Sequence, residues 1–314
     1  RLSHPKEKLF KAASMKLMGG VCFREQNIEA AYDYWRRALV LDPQDYELIL
    51  NLSVVQMGRG KYDEAVQGFL KVLDVEPENP KALSNLGFTY YFKGDYVQAI
   101  QYLEKALGLL SKRSQDTSDL LSQLQPYMIY KRLGAAYSNQ GEGDKAIAVF
   151  KKACELYPSL ECSEDLGRSY FKNEMWDQAI GEWMKILKDK KTDPNIYGLL
   201  GSAYERKGDI PQSISCFRRG LALTKDEELQ ANFYASIGHL YIQSRQLDSA
   251  LKEFQMAIAK DWRNVEGHFG MALVYHVQNR LEDSRRALNH VLNLDPSNKK
   301  ARELLAKIET EGPR

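Results

Sequence analysis

The stretch Leu83-Ser84-Asn85-Leu86-Gly87-Phe88-Thr89-Tyr90, followed by Ala99, Leu103 and Ala106, decides the reading of this chain. Its glycine returns as Gly19, Gly134, Gly167, Gly201 and Gly238, and Ser53 and Ala272 hold its place in two further copies. From Gly19 to Ala272 the successive spacings are 34, 34, 47, 33, 34, 37 and 34 residues. A period of this size marks a stacked repeat array, in which each unit buries its apolar face only against its neighbours.

The rest of the unit travels with the glycine. A tyrosine follows three residues later in six copies, from Tyr90 to Tyr275, and alanine follows twelve residues later in six, with Ser213 and Ser284 as variants. Four further on stands a large apolar residue, Trp35, Phe69, Leu103, Phe150, Trp183, Phe217, Phe254 or Leu288. Apolar residues recur at three and four residue intervals, which is the helical period. Gly60-Lys61-Tyr62-Asp63, Gly94-Asp95-Tyr96 and Gly208-Asp209-Ile210-Pro211 separate two helices in each unit. Glycine there permits a left-handed exit, and aspartate caps the next helix. Pro43, Pro77, Pro158 and Pro296 close four units, because proline lacks an amide hydrogen. Glycine and alanine on facing helices let the backbones approach, and the large apolar residue fills the space beside them.

This pattern resembles the tetratricopeptide repeat family through nearly the whole chain. Tyr130, Leu133, Gly134, Tyr137, Ala146, Phe150, Ala153 and Pro158 form another clear copy. The resemblance implies an all-α fold, a right-handed superhelical α-solenoid of eight helix-turn-helix repeats with a C-terminal capping helix. Units begin near Ala12, Tyr46, Pro80, Tyr127, Leu160, Pro194, Ala231 and Val265. The organisation expected is a lead-in over 1–11, repeats one to three over 12–110, an insertion over 111–126, repeats four to eight over 127–297, and a cap and tail over 298–314. Within the insertion, Asp119 to Leu124 reads as a short helix capped by Ser118. The surplus around Thr224 to Gln230 reads as lengthened helices.

Composition excludes several classes. With 44% hydrophobic and 27% charged residues the chain is far from the signature of disorder. A net charge of +2 gives no global case for nucleic acid or membrane binding. The chain begins at Arg1 rather than at a methionine, as a processed or trimmed chain does. No compartment is fixed, although the cysteines lean towards a reducing one. Cys22, Cys154, Cys162 and Cys216 show no C-x-x-C pair and read as free thiols packed in helices; Cys154 and Cys162 alone flank one turn closely enough to pair. Gly141-Glu142-Gly143-Asp144-Lys145-Ala146 has the spacing of a dinucleotide loop but falls on a repeat turn with no strand before it. His239, His268 and His276, near Glu266, are the one histidine group, and helix-surface histidines are more often solvated than ligating. The reading is therefore of a non-catalytic chain with no catalytic residue, metal site or cofactor.

What remains is the groove. In the family resembled, first helices line a concave surface that holds an extended peptide or a partner's helix. Carried onto this chain, the groove residues are Leu50, Asn51, Val54 and Met57 of the second unit and Lys81, Asn85, Phe88, Tyr91 and Phe92 of the third. The fourth and fifth add Lys131, Arg132 and Arg168. Asn51 and Asn85 hold equivalent places one unit apart, where the family bonds a peptide backbone. The aromatic patch followed by a basic cluster suits an apolar anchor beside an acidic group. Lys16, Asn51 and Lys81 fall on three of the five positions of a carboxylate clamp that some family members use for chaperone tails, but Gly20 and Asn85 replace the other two. The expected partner is a protein or peptide in the groove, with self-association through terminal repeats and no nucleic acid or inserted membrane. A regulatory or targeting domain of a larger protein, such as a glycosyltransferase or secretion component, is the alternative.

Overall fold

The structure, a computed structural model, describes residues 5–113, 120–189 and 192–311. Among these residues there are seventeen α-helices and no strand. In chain order they are α1 (Pro5–Arg24), α2 (Ile28–Leu41), α3 (Tyr46–Gly58), α4 (Tyr62–Val75), α5 (Pro80–Lys93), α6 (Tyr96–Arg113), α7 (Leu120–Gln140), α8 (Gly143–Leu156) and α9 (Leu160–Lys172). There follow α10 (Trp176–Asp189), α11 (Pro194–Lys207), α12 (Ile210–Leu223), α13 (Glu227–Gln243), α14 (Leu247–Lys260), α15 (Val265–Val277), α16 (Leu281–Leu294) and α17 (Lys299–Glu311). Along the chain this is eight successive pairs and a last helix, an all-α helical repeat fold. The chain forms two compact units, Arg1–Ser169 and Tyr170–Arg314, and the division falls within α9.

In the first unit the recurring glycine is a close-approach device. A Cβ at Gly19 would stand 2.4 Å from the Trp35 ring, and one at Gly87 would stand 2.7 Å from Leu103. The second unit repeats this, with Gly201 at 2.7 Å from Phe217 and Gly238 at 2.6 Å from Phe254. Phe69 and Phe254 are fully buried, and burial of such a ring stabilises by about 2–3 kcal/mol. The second repeat reaches the same packing differently. Ser53 takes the glycine's place and donates its hydroxyl to the Ile49 carbonyl at 2.7 Å. The missing volume moves to the facing helix, where a Cβ at Gly68 would lie 1.9 Å from the Ser53 oxygen. Ser213 and Ser284, the two alanine variants, are buried but satisfied, donating to the carbonyls of Gly201 and Ala272 at 2.7 and 2.8 Å.

The turns follow their sequence. Gly94 and Gly208 end α5 and α11 at φ 82° and 86°, and Asp95 and Asp209 then accept from the amides of Gln98 and Gln212. Asp63 lies inside the first turn of α4 instead, where it pairs with Lys93 rather than capping. Helices α2, α4, α8 and α16 each stop two residues before Pro43, Pro77, Pro158 and Pro296.

Five first helices start on the residue the register implied, at Tyr46, Pro80, Leu160, Pro194 and Val265. The other three start earlier. Helix α1 already begins at Pro5, so residues 5–11 are helix, and α13 begins at Glu227 behind its Asp226 cap. Helix α7 begins at Leu120 and runs through Pro126, so the separate short helix expected in the insertion is the first part of the fourth repeat; Ser118 and Asp119 lie outside the described residues. At the other end Ala301 and Ile308 of α17 are fully buried against Ala287, Leu288 and Val291 of α16, which closes the last repeat.

The cysteine reading is corrected at one pair. Cys154 and Cys162 are joined by a disulfide, with Cα atoms 5.6 Å apart, while Cys22 and Cys216 are free. The turn at Tyr157–Ser159 is short, so the last turn of α8 meets the first turn of α9. Among the described residues no helix is long and apolar enough to cross a membrane.

Candidate functional site

All twelve predicted groove residues lie in the first unit, and five of them line one cleft. Leu50, Asn51 and Val54 of α3 face Lys81 and Asn85 of α5 across a space of about 450 Å³, bounded also by Val72 of α4, by Glu76 that follows its last turn, and by Asn79. The side-chain amides of Asn51 and Asn85 have no hydrogen-bond partner among the described residues, and Lys81 has no ion pair there. Each amide therefore keeps two donors and an acceptor directed to whatever enters, the set a peptide unit requires. Leu50 is less available than expected. It is buried in the cluster of Phe69, Val72 and Leu86, with Val54 and Met57 partly buried against the same cluster.

Beyond the cleft the aromatic side chains form a continuous run. Phe92 stacks on Tyr62 at 6.1 Å, Tyr91 meets Phe92 edge-on at 5.8 Å, and the Arg132 guanidinium lies 5.0 Å from the Phe92 ring and 5.3 Å from that of Tyr91. Phe92 stays 43% exposed, whereas Phe88 and Tyr91 are half-buried. A cation held over two rings gains on the order of 1 kcal/mol, so Arg132 is positioned rather than free to swing.

The predicted basic cluster is largely spent. Lys131 pairs with Glu161 and, at 3.4 Å, with Asp165, while Arg168 pairs with Glu164 at 2.7 Å. Burial pushes the Asp165 carboxyl up from the usual carboxylate range, against the opposing pull of Lys131. Of the three cations only Arg132 has no carboxylate partner among the described residues. Glu164 lies one turn before Arg168 on the same helix, whereas the partners of Lys131 sit one repeat away, in an acidic stretch visible in the sequence as Glu161, Glu164 and Asp165. Similar ties join Arg59 to Glu29 at 2.5 Å and Lys93 to Asp63, and in the second unit Lys207 to Asp177 at 2.6 Å. Lys16 is likewise consumed by Asp45 at 2.9 Å and Glu47 at 2.5 Å, which removes one of the three clamp-like residues.

In the second unit His239 approaches Glu266 at 3.4 Å, and His268 stacks on His290 at 5.5 Å. No group of three or more His, Cys, Asp or Glu among the described residues is arranged to hold a metal ion.

Comparison with known proteins fits this architecture. A family model described as TPR repeat matches residues 56–94, and models described as tetratricopeptide repeat match 80–112, 127–160, 196–231 and 241–308, together more than half of the chain. The chain belongs to the tetratricopeptide repeat family. This tetratricopeptide protein is 22% identical over 255 residues to Hsp70-Hsp90 organizing protein 2 of Arabidopsis thaliana, covering 80% of this chain and 42% of that protein. It is 24% identical over 191 residues to the anaphase-promoting complex subunit CDC16 of Saccharomyces cerevisiae, covering 59% of this chain and 23% of the other. The C-terminal part of a TPR repeat-containing protein from Cytophaga hutchinsonii superposes with a TM-score of 0.62 at 18% identity, over 82% of this chain and 99% of that one. The chain thus spans less than half the length of the two curated relatives.

Proposed function

We propose that this tetratricopeptide protein is a non-catalytic interaction scaffold that holds an extended segment of a partner protein in the cleft between α3 and α5. The observation that carries this reading is the pair of unspent amides at Asn51 and Asn85, set at equivalent places in consecutive repeats beside the unpaired Lys81. Two amides in register hold the backbone of an extended chain and leave its side chains to the neighbouring surface. Lys81 takes an acidic side chain or a terminal carboxylate, and the exposed edge of Phe92 under Arg132 takes an apolar or aromatic residue further along. The relatives support the same class, since one is named for organizing two other proteins and the other is a subunit of a multiprotein complex.

Peptides selected from a random library on the wild-type protein provide the test. In calorimetric titration with such a peptide, the double variant Asn51→Ala, Asn85→Ala should bind at least tenfold more weakly, since each lost charge-free hydrogen bond costs about 1 kcal/mol. Circular dichroism should be unchanged. Equal affinity in the double variant moves the site out of this cleft.

A second reading has the array serve as a targeting or regulatory domain of a longer protein whose activity lies elsewhere. The short share of each curated relative that the chain matches favours it, and the cleft would keep its role.

A further inference from the structure

The second repeat lacks a pair of rings that the third spends on its own packing. In the third, Tyr90 of α5 and Tyr102 of α6 stack at 5.6 Å, their planes 5° from parallel. The same places in the second repeat, three and fifteen residues after its small residue, hold Gln56 and Gly68. All seven other repeats carry a side chain at the later of these places, from Tyr34 in the first to Ala287 in the eighth. Nor can a ring come from α4 itself. A Cβ at Gly68 would lie 1.9 Å from the Ser53 oxygen, so the serine fixes the glycine and keeps the space open.

What results is a cavity of about 650 Å³ bordered by α2, α3 and α4, within the range of roughly 300–1,000 Å³ usual for ligand sites. Tyr46, Ile49 and Leu52 of α3 and Val75 of α4 make its apolar part. Gln56 and Glu64 stand on either side of the turn at 59–61 and make its polar end. Neither side chain has a hydrogen-bond or ion-pair partner among the described residues. Glu64 and Val75 are exposed, so the cavity opens to solvent along α4 and a ring still attached to its chain can enter.

We propose that this cavity receives the side chain of a tyrosine from a partner protein, filling from outside the place that Tyr102 fills from within. Ile49, Leu52 and the Tyr46 ring cover the faces of the incoming ring. Its hydroxyl reaches the polar end, where Glu64 accepts the hydrogen and the Gln56 amide donates in return. An apolar body with a bonded hydroxyl is what a buried tyrosine requires. The occupant is a protein side chain because the ring it replaces, one repeat along, is itself one. Tyr46 borders both this cavity and the cleft between α3 and α5, but the inference does not rest on the cleft or on its amides.

Titration of N-acetyl-L-tyrosine amide into the 314-residue chain tests it, with the methyl signals of Ile49 and Leu52 followed by nuclear magnetic resonance. Both signals should move to saturation with a Kd on the order of 1 mM, the strength expected of a ligand of this size. N-acetyl-L-phenylalanine amide should bind about fivefold more weakly, the worth of one neutral hydrogen bond. The double variant Gln56→Leu, Glu64→Leu should lose that preference. The triple variant Ser53→Gly, Gln56→Tyr, Gly68→Tyr copies the residues of the third repeat; it should keep its circular dichroism spectrum and bind neither amide. Methyl signals unmoved at about 20 mM probe, equal affinity for the two amides, or a folded triple variant that still binds would each overturn the proposal. So would binding of p-cresol without binding of the capped tyrosine, which would assign the cavity to a free phenol.

Discussion

Replacing Glu174 and Arg245 by glycine should stabilise the second unit, although neither side chain touches anything that the substitution improves. Seven residues after the recurring small residue, every repeat places one residue in the left-handed region. Four repeats use glycine there, Gly60, Gly94, Gly141 and Gly208, at φ between 75° and 86°; the others use Gln26, Glu174, Arg245 and Asn279, at φ between 58° and 62°. A Cβ at any of the four glycines would meet nothing within 4 Å, so conformation and not space selects glycine there. An L-residue in this region costs roughly 1–2 kcal/mol, against about 0.5–1 kcal/mol for the extra freedom glycine gives the unfolded chain. Each substitution should therefore gain about 0.5–1 kcal/mol, because Glu174 and Arg245 are exposed and lose no packing. In urea unfolding followed at 222 nm, the double variant should move the midpoint of the second unit up by about 0.5 M with an unchanged slope. Asn279→Gly should do less, since asparagine tolerates this conformation. A midpoint that falls or stays put in Glu174→Gly and Arg245→Gly would refute the reasoning.

The close-approach glycine should behave oppositely. Gly201→Ala puts a methyl group 2.7 Å from Phe217 and should destabilise by about 1–3 kcal/mol, read as a lower urea midpoint. Lys131→Met should destabilise most at neutral pH. Burial already raises the Asp165 carboxyl, and without Lys131 its charge is less compensated and its pKa rises further. Ionisation of a group raised in the folded state opposes folding, so the gap between variant and wild type should narrow as pH falls through that raised value. A gap of constant size from neutral to acidic pH would remove Asp165 from the account.

The fold was legible because each repeat spends the same residues on the same task. Gly87 and Leu103, or Gly238 and Phe254, announce a close contact through spacing alone, and the structure places them in contact. Ser213 and Ser284 were visible as variants, but their buried hydrogen bonds to Gly201 and Ala272 required the partner helix. The candidate cleft was legible in its uncharged part. Asn51 and Asn85 share a repeat position and meet across one cleft, whereas Lys131 looked basic only until the fold brought Glu161 and Asp165 of the next repeat alongside; Glu164 stands one turn from Arg168 in the sequence itself. Cys154 and Cys162 were visible as the one pair flanking a turn, but no motif marks a bond, and the expectation of free thiols gave way because the tight turn between two helices brings them together.

The side-chain amide resonances of Asn51 and Asn85 test the central claim most directly. They are recorded by nuclear magnetic resonance on selectively labelled protein while a library-selected peptide is added. The account predicts that both shift downfield in step with saturation, because their unspent donors engage the peptide backbone. A peptide that binds and saturates while both amide signals stay in place would contradict it.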